Sequence, residues 1–140
     1  MSEENVERFV AVAEAFNQIA QAPDDVATHL QGLLGGLDSK IQFHPQQAAL
    51  EGGYAGHEGV MQWLADLVEV YQDGHIRFAE VRDLEDQVLG LGTMHFTAKA
   101  SGIETDAPLA IVATFRNGLI TQFRDYGDRK EALEAAGLSE

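Results

Sequence analysis

"LAIVATFRNGLITQFRDYGDRKEALEAAGL", residues 109–138, closes a sheet, and the way it divides decides the fold. Asn117-Gly118 is the dipeptide best suited to a two-residue turn between antiparallel strands. In the first limb, alternation sets Leu109, Ile111, Ala113 and Phe115 on one face and Ala110 and Val112 on the other. In the second, Leu119 to Tyr126, it sets Thr121, Phe123 and Asp125 against Ile120, Gln122, Arg124 and Tyr126. A short helix over Asp128 to Ala136 follows and stops at Gly137. Asp125 thus stands beside Phe123 at the end of the last strand, where a charge is either solvated at the rim or buried for a purpose.

Working back, "IETDAPLAIVATFR" is preceded by "QVLGLGTMHFTAKAS" and "HIRFAEVRDLE", with turns at Ser101-Gly102 and Glu85-Asp86. Four consecutive strands on short turns predict an antiparallel meander. The glycines of "LGLG" suit a sheet that bends sharply. Further upstream the period changes to that of a helix. Val6, Phe9, Val10, Ala13, Phe16 and Ile19 form one apolar stripe over residues 3–22, ended by Pro23, with Asp24 or Asp25 as the next N-cap. Val26, Leu30, Leu33, Leu34 and Leu37 form a second stripe. Val60, Trp63, Leu64, Leu67, Val68 and Tyr71 form a third, stopping at Gly74. "SKIQFHPQQAALEGGY", between the second and third helices, reads as a short strand or hairpin, with Pro45 holding His44 extended. Helices followed by a curled antiparallel sheet make an α+β architecture. A curved sheet wrapped around N-terminal helices encloses a cone with an apolar pocket.

The 140 residues are read as a single domain, 1–140, with a 45% hydrophobic share. Nine basic against 23 acidic residues give a net charge of −14, which argues against nucleic acid and anionic membranes as partners. No apolar run approaches the roughly 20 residues of a membrane span, and the acidic, amphipathic start is unlike a secretory signal. A cytoplasmic location is the expectation. Without cysteine there is no disulfide, thiolate metal site or cysteine nucleophile. The histidines at 29, 44, 57, 75 and 95 follow no metal-ligand spacing, and no phosphate-cradling glycine motif is present. Neither metal nor cofactor is expected.

"GGYAGHEGVMQWL", residues 52–64, resembles the loop and helix start of SnoaL-like polyketide cyclases, in the nuclear-transport-factor-like (cystatin-like) superfamily. "TDAPLAIVATFRNGLITQFRDYGDRKEALEAAGL" resembles their closing hairpin and tail. The resemblance runs from about Ile41 to Leu138. It implies a cone-shaped fold, a pocket between helices and inner sheet face, and a homodimer through the outer face. The apolar residues on both faces of the 109–116 strand agree, since one face would otherwise stay wet. The fold hosts isomerases, cyclases, dehydratases, epoxide hydrolases and non-enzymatic modules, so it does not fix an activity.

By the resemblance, Asp125 takes the place of a last-strand catalytic carboxylate. Desolvation in an apolar cone would raise its pKa and fit it for proton transfer. The alternative is a rim carboxylate, solvated or bonded to Arg124, Arg129 or a backbone N–H. The Arg-x-Asp that accompanies it in related epoxide hydrolases is missing from "QVLGLGTMHF". In "QFHP", His44 occupies the place of the aspartate base of ketosteroid isomerases and is a candidate base or a hydrogen-bonded strand end. Their oxyanion donors fall at Phe9 and near Ala110 or Ile111, which cannot donate a proton. Tyr54 is either a phenol donor at the mouth of the cone or a packed loop aromatic. Trp63, Tyr71, Phe16, Phe115 and Phe123 are expected to line the substrate pocket. His95 is expected to face away from it, unless the register slips by one residue. Two functions follow: acid/base isomerisation, cyclisation or dehydration of a small, mostly apolar molecule, or a non-catalytic module for a hydrophobic ligand or a protein partner.

Overall fold

The computed structural model describes residues 2–22, 25–45 and 53–138. The expected helix end at Pro23-Asp24 and stretch 46–52 of the expected hairpin lie outside these residues. Helices α1 (Ser2–Gln21) and α2 (Val26–Leu34) come first, then β1 (Leu37–His44), β2 (Tyr54–Ala55) and α3 (Gly56–Val70). The meander β3 (Tyr71–Asp83), β4 (Gln87–Ala98), β5 (Glu104–Arg116) and β6 (Leu119–Asp125) follows, and α4 (Arg129–Ala135) ends the chain's regular structure. The six strands form one sheet in the order β2-β1-β6-β5-β4-β3. The meander is antiparallel, as expected, and β1 adds to β6 in parallel, so the sheet is mixed. The architecture is the curved α+β sheet with helices against it that the sequence predicts, the cystatin-like fold.

Asn117 and Gly118 both adopt positive φ, 55° and 78°, as the tight turn between β5 and β6 requires. Leu109, Ile111, Ala113 and Phe115 join the main core with Phe9, Phe16 and Ile19 of α1 and Val60, Leu64 and Leu67 of α3. Ala110 and Val112 face the other way. One assignment by alternation is corrected. Ile120 does not lie on the outer face but is fully buried in the same core as Phe115. The register shifts between Thr114 opposite Gln122 and Phe115 opposite Ile120, leaving Thr121 as an extra residue that donates to the Thr114 carbonyl.

Two helix boundaries also move. Leu37 opens β1 instead of closing the second helical stripe, because α2 stops before Gly35-Gly36. Tyr71 opens β3 instead of ending α3; it pairs with Ala98 and its ring lies 4.9 Å from Phe96. Gly74 is no stop. It sits inside β3, where any Cβ would run into the Phe96 ring.

The outer face differs from expectation in what covers it. Leu89, Leu91, Ala110 and Val112 are buried under Ala132 and Leu133 of α4, and α4 is started by Asp128, whose side chain accepts from the Lys130 N–H. These apolar residues therefore do not call for a second copy of the chain. Farther along the same face stand His75, His95, Glu104 and Asp106.

Asn17 ties α1 to the sheet. Its Oδ1 accepts from the Ile76 N–H at 2.7 Å, and its Nδ2 donates to the Ile76 carbonyl at 3.0 Å. β3 is an edge strand, and this amide satisfies backbone groups that no neighbouring strand can reach. Asn17→Ala is expected to lower unfolding stability by about 1–3 kcal/mol, the penalty for stranded polar groups. A urea melt unchanged by the substitution would show that water replaces the clamp without penalty.

Candidate active-site cavity

The cone holds a cavity of about 70 Å³, several times the roughly 10–15 Å³ that one water needs. Its wall comes from Phe9, Val12, Ala13 and Phe16 of α1, Leu33 of α2, Leu37 and Phe43 of β1 with the following Pro45, and Val60 and Trp63 of α3. The sheet adds Ile76, Phe78, Met94, Phe96, Leu109, Ile111, Phe123 and Asp125. Gly90 makes room for this wall, since a Cβ there would sit 2.7 Å from both the Phe9 and Phe78 rings. Among the described residues, Asp125 is the only ionisable side chain in the wall.

Asp125 is half-buried at the end of β6, opposite Ile111. Its Oδ1 accepts from the Ala110 N–H at 3.1 Å and the Gly127 N–H at 2.9 Å. The bond to Gly127 closes a turn of the Asx kind and directs the chain toward α4. Oδ2 takes no hydrogen bond from the described residues. Burial pushes the carboxyl pKa above its ordinary value, and the two backbone N–H groups pull against that shift. Of the two sequence alternatives the structure combines parts: the carboxylate is bonded to backbone N–H groups, and it also lines the cavity.

Phe123, Trp63 and Phe16 line the cavity together. Phe16 stacks on Trp63 at 5.4 Å between centroids, and Phe43 meets Trp63 edge-on at 4.8 Å. Phe115 does not line it. The cavity lies toward Leu109 and Ile111, whereas Phe115 is core at the turn end of β5, beside Ile120. Tyr71 is likewise outside the wall, because its place in β3 turns it onto Phe96. Tyr54 is 4% exposed and packs near Phe43 at 6.5 Å, its hydroxyl 3.4 Å from Asp66 Oδ2, so it is a packed aromatic and not a donor at the mouth. His44 follows Phe43, which points inward, and strand alternation turns its ring outward against Gly53 and beside Arg124. The structure thus brings neither His44 nor Tyr54 into the wall with Asp125.

The remaining histidines lie elsewhere. His57 approaches the Leu37 carbonyl at 2.8 Å through Nε2 and joins α3 to β1. His95 faces away from the cavity, as the expected register requires, between the inward Met94 and Phe96. Its Nδ1 lies 2.6 Å from Asp106 Oδ1, its Nε2 3.2 Å from Glu104 Oε1, and its ring stacks on His75. The hydrogen bond to Asp106, with help from Glu104, holds the His95 pKa up; burial, with the Arg124 charge, holds that of His44 down. A histidine NMR titration is expected to place His95 above the ordinary value of about 6.5 and His44 below it. The reverse order would contradict both placements. No group of three or more His, Asp or Glu side chains among the described residues is arranged to hold a metal ion. Among the described residues, no helix is long and apolar enough to cross a membrane.

One feature of the wall is invisible to sequence patterning. The Trp63 Nε1–H is buried and has no acceptor among the described residues. A tryptophan on an apolar helical stripe reads as wall, and only the packing of its neighbours shows that its N–H is left over.

The site is an α+β sheet with helices packed against it, holding one carboxylate in an apolar cavity. The chain belongs to the SnoaL-like domain family, which it matches over residues 6–123. Among solved structures it is similar to an NTF2-like protein of unknown function from Burkholderia pseudomallei, with a TM-score of 0.75, 21% identity and 94% and 95% of the two chains covered. It is also similar to a protein proposed to be a polyketide cyclase from Xanthomonas campestris pv. campestris, with a TM-score of 0.71, 17% identity and 96% and 97% covered. A third, TerC, co-crystallised with polyporic acid, gives 0.74, 20%, and 96% and 98%. At these identities the likeness establishes the fold. No curated protein matches the sequence.

Proposed function

We propose that this chain is an acid/base enzyme for a small, mostly apolar molecule bearing a carbonyl or hydroxyl group, and that Asp125 moves the proton. Isomerisation, cyclisation and dehydration all need a group that accepts a proton at one atom and returns it at another. The observation carrying this reading is the division of labour within one carboxylate. Oδ1 is pinned by two backbone N–H groups, while Oδ2 takes no hydrogen bond from the described residues and stands in an apolar, desolvating wall. A base fixed in position, with its pKa raised by burial above the ordinary carboxylate value, is suited to abstract a proton next to a carbonyl. The polyketide cyclase proposed for the Xanthomonas protein, and the polyporic acid co-crystallised with TerC, support a small-molecule ligand for this fold.

The wall also supports a second reading. With His44 and Tyr54 outside it, Asp125 has no titratable partner in the wall among the described residues, and a cavity with one polar point can bind without turning over. Deuterium exchange separates the two. Small cyclic ketones incubated with the protein in D2O should gain deuterium next to the carbonyl, and Asp125→Asn should lose that activity while still binding. Ketones that bind to the wild type without any exchange would establish the binding module instead.

A further inference from the structure

The two N–H groups that hold Asp125 Oδ1 lead to the opposite side of the sheet. Ala110, 1% exposed, turns its side chain to the outer face, into the small core that Ala132 and Leu133 of α4 form with Leu89, Leu91 and Val112. Its N–H donates to Asp125, and its carbonyl accepts from the Tyr126 N–H at 2.8 Å. One residue of β5 thus grips the chain on both sides of the Asp125–Tyr126 peptide, while its neighbours Leu109 and Ile111 line the cavity. The second donor, Gly127, stands past the end of β6, so the segment that follows must hold it in place. Only Tyr126, Gly127 and Asp128 separate the carboxylate from α4. Gly127 has φ 68°, which glycine adopts freely, and Asp128 caps the helix. The Arg129–Glu80 ion pair, 3.5 Å and exposed, adds little to the seat of α4, which is chiefly apolar.

We infer that α4 is the positioning element of the Asp125 carboxylate: seated by Ala132 and Leu133 on the outer face, it fixes the turn through Gly127 and keeps Oδ1 on its N–H donors. This rests on the reading that Asp125 moves a proton in the cavity, and it names residues that act through it. Gly127 and Leu133 are positioning residues, and neither lines the cavity. A carboxylate at a strand end can rotate about its side-chain bonds. Holding one oxygen from behind the sheet aims the other in a constant direction, and proton transfer depends steeply on that direction.

Two substitutions break this linkage at different points, and a carboxyl-carbon NMR titration of the full-length protein reads the result at Asp125. Gly127→Ala puts a side chain at the positive-φ position and is expected to pull the N–H off Oδ1. Leu133→Ala keeps the turn residues and loosens the seat of α4. Burial and the two N–H groups are the causes acting on this carboxyl, so losing a donor that favours the anion raises its midpoint. Both variants are expected to titrate at higher pH than wild type. Gly127→Asn, because asparagine tolerates positive φ, is expected to restore the wild-type midpoint. Ile19→Ala, an equally buried loss in the main core, is expected to leave it in place. With cyclohexanone in D2O, Gly127→Ala and Leu133→Ala are expected to lower kcat for exchange about 10–100-fold with KM little changed, the effect of a reacting group misplaced by about 1 Å. A wild-type midpoint in Leu133→Ala overturns the inference even if Gly127→Ala shifts, because the turn then holds the carboxylate without the helix. An equal shift in Ile19→Ala overturns it too, since any loosening of the core would then suffice. If Leu133→Ala does not fold, Leu133→Val takes its place with the same expectations. If wild type exchanges no deuterium while both midpoints rise, α4 still positions the carboxylate and only its proton transfer fails.

Discussion

Asp125→Asn is expected to slow the acid/base reaction by about 10²–10⁴-fold, the usual contribution of a positioned proton-transfer group, while leaving the protein at least as stable as wild type near pH 7. The second half follows from the geometry. An asparagine Oδ1 can still accept from the Ala110 and Gly127 N–H groups that hold the carboxylate, so the turn into α4 keeps its two bonds. What the substitution removes is a charge in an apolar wall. Burial is the larger effect on this carboxyl and raises its pKa in the folded protein. A raised carboxyl pKa means that the fold binds the protonated form better. Its contribution to stability is fully present below the ordinary carboxylate pKa and is lost as pH rises through the folded value. Wild type therefore carries a penalty at neutral pH that the amide lacks. The melting temperature of Asp125→Asn relative to wild type should be equal or higher at pH 7, and the advantage should shrink on acidification. A variant that is less stable at pH 7 and recovers in acid would mean that the backbone N–H groups outweigh desolvation. The carboxyl would then be an anion anchor and a poor base.

Phe9→Ala carries the largest expected loss of stability, about 3–5 kcal/mol. Against a total of about 5–15 kcal/mol for a domain, that is a large fraction. Phe9 is 2% exposed, its ring is 4.9 Å from that of Phe78, and it fills the space left by the missing side chain of Gly90. The sheet behind it is pinned by strand pairing on both sides of β4, so the site cannot collapse to fill the gap. The ring's volume should therefore be added to the cavity beside it. Chemical denaturation measures the loss, and benzene should recover part of it by occupying the enlarged, apolar space. A loss below about 1 kcal/mol, or a melting temperature indifferent to benzene, would show that α1 settles inward and that the cavity is not held open by the sheet.

The meander was legible because each strand repeats every two residues and ends on turn chemistry. Asn117-Gly118 needs positive φ at both positions, and few other dipeptides supply it. The inward faces of β4 and β5 and the outward face of His95 followed from the same period. The misplacements have one origin. A period says which residues share a face but not where the partner strand slips, and the extra residue at Thr121 turned Ile120 into the core. The C-terminal limit of α3 was missed because apolar spacing continues through Tyr71 while the chain has already gone extended to pair with Ala98.

By itself, the sequence determined the order of elements, the direction in which Asp125 points and the family to which the chain belongs. These depend on local chemistry: strand alternation, turn residues and a recognisable closing hairpin. Tertiary structure alone decided which groups share the cavity with Asp125. His44 and Tyr54 are removed from it by the face of β1 and by the reach to Asp66. Phe115 and Tyr71 are removed by their positions along the strands, and the Trp63 N–H, packed among phenylalanines, meets no acceptor among the described residues. Such meetings join residues far apart in the chain, and their outcome is set by register, packing and the competition of polar atoms for partners. None of these leaves a periodic mark in the sequence.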